Sequence, residues 1–127
     1  MKYANTFKDL ICWQRSSELV DAVYSTTDKL QDLNLKDQLR RAAVSAMSNI
    51  AEGFGRNSKR EFCRFLEIAT SSCLEVDTLT LKINIEGNLT PQEIDKILSL
   101  SRETYNTASS LSRTIKNKLK QIELGKK

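Results

Sequence analysis

The residues of this sequence best suited to chemistry are cations, which can neutralise the phosphates of a polyanion. The 127-residue chain has 20 lysines and arginines against 16 aspartates and glutamates, a net charge of +4 and a pI near 9.0. Arg40 and Arg41 are two candidate contacts. The others form two groups that we together call the basic pole: Arg56, Lys59, Arg60 and Arg64, then Arg113, Lys116, Lys118, Lys120, Lys126 and Lys127. The alternative interpretation is a solvated surface that keeps the protein soluble.

Enzyme chemistry is not indicated by the remaining reactive residues. The sequence has no histidine, so the common general base of a nucleophilic triad is absent. Cys12, Cys63 and Cys73 have no C-x-x-C spacing, and a zinc site needs about four close ligands. Glu52 has no second acid beside it for paired-carboxylate catalysis. We therefore predict buried, reduced cysteines and no catalytic residue, metal site, cofactor or enzymatic activity.

Apolar residues recur at spacings of three and four in four segments, which predicts four amphipathic helices and no strand. Short connections make helices that are neighbours in sequence pack side by side. The predicted fold class is all-α, an antiparallel up-down-up-down four-helix bundle. It forms a single domain, 1–127, with its core at about 8–122, a short N-terminal segment and a frayed C-terminal tail. The predicted helices lie at about Asp9–Leu30, Lys36–Phe54, Ser58–Gly87 and Thr90–Ile122, the last two ranges including their caps.

Capping residues mark three of the predicted helix ends. Ser58 and Glu61 in "SKRE" predict a capping box at the start of the third helix. Gly87 suits the end of that helix because glycine adopts the left-handed conformation at little cost. In "TPQE", Thr90 and Glu93 predict a second box, with a proline in the first helical turn between them.

Small residues line the second helix where it faces the third. A hairpin about "GFGRN" places Ile50 opposite Phe62 and Ala46 opposite Leu66, with Ala42 facing Thr70. Few bulky side chains then separate the two helices, so we expect a close approach of their axes. The two glycines predict the turn between them. The predicted structural seam comprises Ala42, Ala46, Asn49, Glu52, Gly53 and Gly55.

A polar strip accompanies the seam on the second helix, formed by Ser45, Ser48, Asn49 and Glu52. One interpretation is an internally satisfied hydrogen-bond network that fixes the helix register, with Glu52 also pairing with Arg56 one turn later. The other interpretation is a ligand or partner site. Two interpretations are also open for the aromatic residues near the start of the chain. Tyr3, Phe7 and Trp13 either pack into the core, or they form a lid or an oligomer contact.

The chain resembles a known bacterial family of four-helix-bundle proteins, named for proteins encoded in intervening sequences of 23S ribosomal RNA genes. The resemblance covers about residues 5–120 and rests on four motifs together: "F-x-D-L-x-x-W", "Q-L-R-R-A", "S-N-I-A-E-G-x-G-R" and "F-x-R-F-L-x-I-A". It departs at "SAMSN", where family members commonly have a proline, which predicts a smoother second helix. It also lacks the proline-containing loop often found between helices 1 and 2.

The resemblance implies a left-handed antiparallel bundle, no enzymatic activity, and a homo-oligomer that is often a ring of five. A related branch of retroelement accessory proteins binds reverse transcriptase and nucleic acid through a basic surface. Because helices 2 and 4 run in the same direction, the basic pole should collect at one end of the bundle. We therefore expect a non-enzymatic oligomer that binds structured RNA or a ribonucleoprotein through this pole. The alternative is a protein–protein scaffold without a nucleic-acid role.

The sequence predicts a cytoplasmic protein. Asp9 interrupts the only candidate apolar run near the N-terminus, so a signal peptide is not indicated. No apolar run approaches the roughly 20 residues that span a bilayer, so no membrane partner is expected.

Overall fold

Four α-helices form an antiparallel up-down-up-down bundle in the computed structural model, which describes residues 4–87 and 89–125. A short 3₁₀ turn, Phe7–Asp9, precedes them, and those ranges contain no strand. α1 and α3 each pack against both α2 and α4, so the four helices enclose one core. The predicted all-α four-helix fold is confirmed. The helices are α1 (Ile11–Thr27), α2 (Leu33–Phe54), α3 (Lys59–Glu86) and α4 (Pro91–Gly125).

The first helix is shorter than predicted at both ends. The Asp9 carboxylate accepts from the Thr6 backbone N–H at 3.2 Å, and the Thr6 hydroxyl accepts from a backbone N–H of the same turn. This capping box stabilises the start of the separate 3₁₀ turn. Leu10 then has extended backbone angles, with φ −75° and ψ 128°, so α1 begins only at Ile11. At its other end α1 stops at Thr27, before the predicted Leu30.

The second helix begins earlier than predicted, at Leu33. Asp32 supplies the N-cap, because its carboxylate accepts from the backbone N–H groups of Asn34 and Leu35 at 3.1 Å each. Residues 31–35, which lie between the first two predicted helices, therefore contain the cap and the first residues of α2. From there α2 continues without interruption to Phe54, as the missing proline predicts.

The predicted caps of α3 and α4 form, with one difference. Thr90 and Glu93 make both bonds of their box, at 3.1 and 2.9 Å, and Gly87 has the left-handed φ of 76°. Ser58 also caps α3, accepting from the Glu61 backbone N–H at 3.2 Å. The Glu61 side chain does not complete this box, because its carboxylate pairs instead with Arg64 at 2.8 Å.

The seam between α2 and α3 is shifted from its predicted register. The Ser45 and Ser72 hydroxyls are 2.9 Å apart, whereas the prediction places Glu67 beside Ser45. Gly53 lies inside α2 and packs against Phe65 and Phe62, instead of forming part of the turn. Its missing side chain leaves space that the Phe65 side chain fills, and this contact sets the register. Only Gly55 belongs to the turn, as the C-cap of α2.

Two predicted seam residues are nevertheless in the core: Ala42 and Ala46 are both buried, so the small-residue face of α2 does face inward. Adding a larger side chain there would overpack the interior. We expect Ala42→Leu to lower the free energy of unfolding by about 1–3 kcal/mol. Thermal denaturation measures this change, and an unaltered melting temperature would show that position 42 is not packed.

Buried hydroxyl groups lie among the apolar residues of the core, and Ser16, Ser72, Ser101 and Thr104 fall between its two apolar clusters along the helices. One cluster contains Leu39 and Val76, and the other contains Ile50 and Leu66. Most of these hydroxyls donate to backbone carbonyls, as Ser101 does to Cys73 of the facing helix at 3.1 Å. These bonds satisfy groups whose burial would otherwise be unfavourable. The buried hydroxyl residues are Ser16, Thr26, Thr27, Ser72, Thr80, Ser101, Thr104 and Ser112.

Candidate nucleic-acid interface

The antiparallel topology brings both groups of the basic pole to one end of the bundle. Ion pairs across α3 and α4 show this directly: Arg60 pairs with Glu123, and Lys116 pairs with Glu67. The α2–α3 turn and the last turns of α4 therefore share one surface. Of the predicted pole, Lys126 and Lys127 lie outside the described residues.

Carboxylates neutralise part of the pole and also orient it. Arg56 pairs with Glu52 at 3.0 Å, as predicted, and Arg64 pairs with Glu61 at 2.8 Å. Both guanidinium groups also lie over the Phe65 ring, at 4.8 and 4.7 Å from its centroid. Such cation–π contacts hold the side chains close to the helix surface. The hydrogen bond from Arg64 lowers the pKa of the Glu61 carboxyl.

Three cations of the pole have no carboxylate partner within the described ranges: Lys59, Arg113 and Lys120. Arg113 and Lys120 are exposed, and Lys59 is half-buried at the start of α3. Arg113 lines a shallow groove of about 270 Å³ between α3 and α4, beside Tyr105. These unpaired charges are the groups most available to a polyanion.

Arg40 and Arg41 do not belong to this surface. Arg40 donates to the Thr27 hydroxyl at 2.9 Å and to the Tyr24 carbonyl at 3.1 Å, near the end of α1. It also pairs with Asp28 at 2.9 Å, and its side chain is only 20% exposed. Its guanidinium lies 4.3 Å from the centroid of the Tyr24 ring. A cation placed at a helix C-terminus stabilises that end, so Arg40 has a structural role. Arg41 is exposed.

The polar strip of α2 is internally hydrogen-bonded. The Asn49 amide donates to the Ser45 carbonyl at 2.8 Å and to its hydroxyl at 3.1 Å, and that hydroxyl also contacts Ser72. Ser48 donates to the Val44 carbonyl at 2.9 Å. With Glu52 paired to Arg56, these contacts favour the structural interpretation of the strip over a ligand site.

The first aromatic residues also favour packing. Phe7 and Trp13 make an edge-to-face contact with centroids 5.1 Å apart, and Trp13 packs against the apolar cluster around Ile50. Both side chains are half-buried. Tyr3 of the same predicted group lies outside the described residues.

The three cysteines are free and buried. Burial raises the pKa of the Cys12 thiol to about 11 and that of Cys73 to about 12, and it also raises the pKa of Cys63. No three metal-ligating side chains lie together in the part of the chain that the structure describes. The thiols are thus placed as packing groups, with low reactivity at neutral pH.

We expect the thiols of the native protein to react with Ellman's reagent far more slowly than those of the unfolded chain. At pH 8, a rise in pKa from 9 to about 11 lowers the thiolate fraction on the order of 100-fold for Cys12. The increase in absorbance at 412 nm with time measures both reaction rates, with protein unfolded in guanidinium chloride as the reference. Similar rates for the native and the unfolded protein would show that a cysteine is exposed.

The raised pKa of Cys12 also makes stability depend on pH. Because the pKa of this thiol is higher in the folded protein than in the unfolded chain, the stability that comes from the neutral thiol is retained below pH 9 and is lost as the pH rises towards 11.

The fold and its site define a class: an antiparallel four-helix bundle with a basic end and hydrogen-bonded helix seams. A family model described as "23S rRNA-intervening sequence protein" matches residues 8–119, so the chain belongs to that family. The chain is also similar to a crystal structure from Bacteroides thetaiotaomicron, described as a protein of unknown function from the S23 ribosomal protein family. The TM-score is 0.75 at 18% identity, over 80% of this chain and 98% of that one, which shows a shared fold. No curated protein matches the sequence.

The family description names no activity, and the matched segment covers α1, α2 and α3 and the part of α4 up to residue 119. Among the described residues, no helix combines the length and apolar character needed to cross a membrane.

Proposed function

We propose that this protein is a non-enzymatic, self-associating helical bundle of the cytoplasm that binds structured RNA, free or within a ribonucleoprotein, through the basic pole. The observation that supports this proposal is an excess of cations on one end of the bundle. The basic pole contributes eight described cations there, Arg56, Lys59, Arg60, Arg64, Arg113, Lys116, Lys118 and Lys120, and four acids, Glu52, Glu61, Glu67 and Glu123, pair with members of it. A rigid surface with this excess attracts phosphates.

RNA is favoured over other polyanions by two considerations. The family is described by its connection to 23S rRNA intervening sequences, which makes RNA the natural polyanion to test. The sequence also carries no motif that is typical of proteins that read bases in a DNA groove. Binding should therefore follow the shape and phosphate charge of the RNA more than its sequence.

The salt dependence of binding to a structured RNA hairpin tests the proposal. We expect fluorescence anisotropy to show that the logarithm of the association constant falls linearly with the logarithm of the salt concentration. Each phosphate contact contributes about 0.7–0.9 to the slope, so the three unpaired cations alone contribute roughly two to three. A DNA hairpin of the same length serves as the comparison. Absence of binding at low salt, or an affinity that does not change with salt, would contradict the proposal.

A scaffold role without nucleic acid is the second candidate. It is favoured by the ion pairs of Arg56, Arg60, Arg64 and Lys116, which already satisfy at least half of the described cations of the pole. Under this alternative the pole is a solvated surface, and the partners are proteins or further copies of the chain. The same titration separates the two candidates, because a scaffold would not bind the RNA hairpin.

A further inference from the structure

A shallow groove between α3 and α4, at the edge of the basic pole, brings together groups that could hold part of an RNA chain. It has a volume of about 270 Å³. Its α4 side consists of residues at helical spacings of three and four, which share one face of that helix: Tyr105, Ser109, Ser112, Arg113 and Lys116. Tyr105 is 36% exposed, so a ligand can reach it. The groove thus combines an aromatic ring, hydroxyl groups and cations.

Ser112 is a buried member of this groove whose hydroxyl group has no internal partner. The residue is only 6% exposed, yet it lines the groove. Its backbone carbonyl accepts from the Cys63 thiol at 3.7 Å, but its hydroxyl makes no hydrogen bond with any residue in 4–87 or 89–125. Most other buried hydroxyls donate to a carbonyl, as Thr104 does to Leu100 at 2.8 Å. An unpaired buried hydroxyl is unfavourable, so Ser112 is suited to a ligand that supplies the missing hydrogen bond.

The charges of the groove favour a ligand with a single negative charge. Lys116 pairs with Glu67 across the two helices, so these two charges offset one another. Arg113 is exposed, and no carboxylate of the described ranges pairs with it. One uncompensated guanidinium group therefore remains in the groove. A phosphodiester carries one negative charge, and its oxygens match the donors of a guanidinium group.

The groove has room for about one nucleotide and leads towards the rest of the pole. Its volume lies just below the roughly 300–1,000 Å³ of sites for drug-sized ligands. The Glu67–Lys116 pair also lines a neighbouring groove of about 180 Å³, together with Arg60 and Arg64. The two grooves follow one another along α3 and α4. A chain of nucleotides that enters the first groove can therefore continue towards further cations of the pole.

Three side chains of the groove correspond to the three parts of a ribonucleotide. An exposed aromatic ring such as Tyr105 stacks on any base. The Ser112 hydroxyl can both donate and accept, as the ribose 2′-hydroxyl does. Arg113 suits the phosphate. Tyr105 and Arg113 are eight residues apart, about 12 Å along the helix axis at 1.5 Å per residue, and both side chains are long enough to approach one bound nucleotide.

We propose that the α3–α4 groove holds one unpaired ribonucleotide of a bound RNA, with its base on Tyr105, its 2′-hydroxyl bonded to Ser112 and its phosphate paired with Arg113. The site rests on the proposed function, because it specifies which part of an RNA the basic pole holds. Loops, bulges and strand ends offer unpaired nucleotides, whereas the bases of a continuous duplex remain stacked on one another. The protein therefore prefers RNA that contains unpaired nucleotides, with little regard to which bases they carry.

Exchange of the sugar tests the Ser112 contact. An RNA hairpin with a short uridine loop is compared with the same hairpin carrying 2′-deoxyribose in the loop alone, and fluorescence anisotropy measures both affinities. We expect the unmodified protein to bind the all-ribose hairpin about fivefold more tightly, and Ser112→Ala to bind both hairpins equally. Ser101→Ala is the matched control, because it removes a buried α4 hydroxyl that already donates to Cys73, and it should keep the preference. A preference that survives Ser112→Ala, or is absent from the unmodified protein, would overturn the site.

Removal of the aromatic ring tests the Tyr105 contact. We expect Tyr105→Leu to weaken binding of the hairpin about tenfold and to leave binding of a blunt RNA duplex of the same stem sequence unchanged. Tyr24→Leu is the matched control, since Tyr24 is 42% exposed at the opposite end of the bundle and should not affect either RNA. Equal losses for hairpin and duplex, or no loss for the hairpin, would overturn the site.

Failure of this site is distinguishable from failure of the proposed function. Salt-dependent binding of hairpin and duplex with equal affinity would overturn the nucleotide site and leave the basic pole as a phosphate-binding surface. If the unmodified protein bound neither RNA at low salt, both the nucleotide site and RNA binding by the pole would be overturned.

Discussion

Gly53→Ala is expected to lower the free energy of unfolding by about 1–3 kcal/mol, the cost typical of overpacking a core. In an exposed helical position the same change would instead stabilise the protein by about 0.8–1.0 kcal/mol, because alanine has the higher helix propensity. The effect on stability changes sign because Gly53 lies in the seam where α2 packs against α3. A Cβ added at Gly53 would lie 2.5 Å from the Phe65 Cβ and 3.2 Å from the Phe62 Cδ1. The Phe65 Cβ is fixed to the α3 backbone, so the two helices themselves would have to separate.

Gly55→Ala is the matched control for this prediction. A Cβ at Gly55 would meet only the carbonyl oxygens of Glu52 and Ala51, at 3.5 and 3.8 Å, and the φ of −77° suits any residue. We expect this variant to be neutral or more stable by about 0.4–1 kcal/mol. Chemical denaturation of both variants measures the difference. Equal effects at the two glycines would show that α2 and α3 do not approach as closely as the structure indicates.

Replacing Lys59, Arg113 and Lys120 together by glutamine is expected to reduce the affinity for the RNA hairpin on the order of 100-fold at 0.1 M salt. These three cations were chosen because they have no carboxylate partner in the described ranges. Arg56 and Arg64 are less suitable, since both also cover the Phe65 ring and their removal would disturb the fold. The slope of affinity against salt should fall by roughly two to three at the same time.

A second triple variant removes the same total charge from elsewhere on the bundle: Lys36, Lys96 and Arg102 to glutamine. These residues also lack ion pairs among the described residues. We expect its RNA affinity to stay within about threefold of the unmodified protein, since distant charges are screened over about 10 Å at 0.1 M salt. Equal losses from both triple variants would mean that net charge, and not the pole, determines binding.

The features predicted correctly from the sequence depend on local patterns or on chain connectivity. The left-handed Gly87 and the Thr90–Glu93 box involve residues within a few positions of one another, so the sequence alone specifies them. The meeting of the two cationic groups at one end follows from helix order and short connections, and the Arg60–Glu123 pair confirms it. Both kinds of inference need no knowledge of side-chain packing.

The features missed depend on contacts between helices. The register of α2 on α3 is set by Gly53 against Phe65, and a sequence containing two nearby glycines does not reveal which one is in the turn. The buried hydroxyls were not predicted as core because serine and threonine are usually exposed, as with Ser101, whose acceptor is a carbonyl on another helix. The structural role of Arg40 could not be predicted, because its partners Tyr24 and Thr27 on α1 are more than ten positions away in the sequence.

The carboxylates that neutralise the pole illustrate the same limit. Glu52 with Arg56 is a pair one helical turn apart, and the sequence predicted it. Lys116 with Glu67 joins two helices, and only the three-dimensional arrangement identifies it. The sequence therefore located the candidate surface, whereas the structure identified which of its cations remain unpaired.

Photochemical cross-linking of the protein to a structured RNA, followed by mass spectrometry of the linked peptides, tests the central claim most directly. The proposed interface predicts that the linked peptides come from residues 56–65 and 105–120, around Phe65 and Tyr105 beside the basic pole. The linked fraction should decrease as the salt concentration rises. Linked peptides from the opposite end of the bundle, around residues 24–40 and 81–98, or no linked peptide at low salt, would contradict the account.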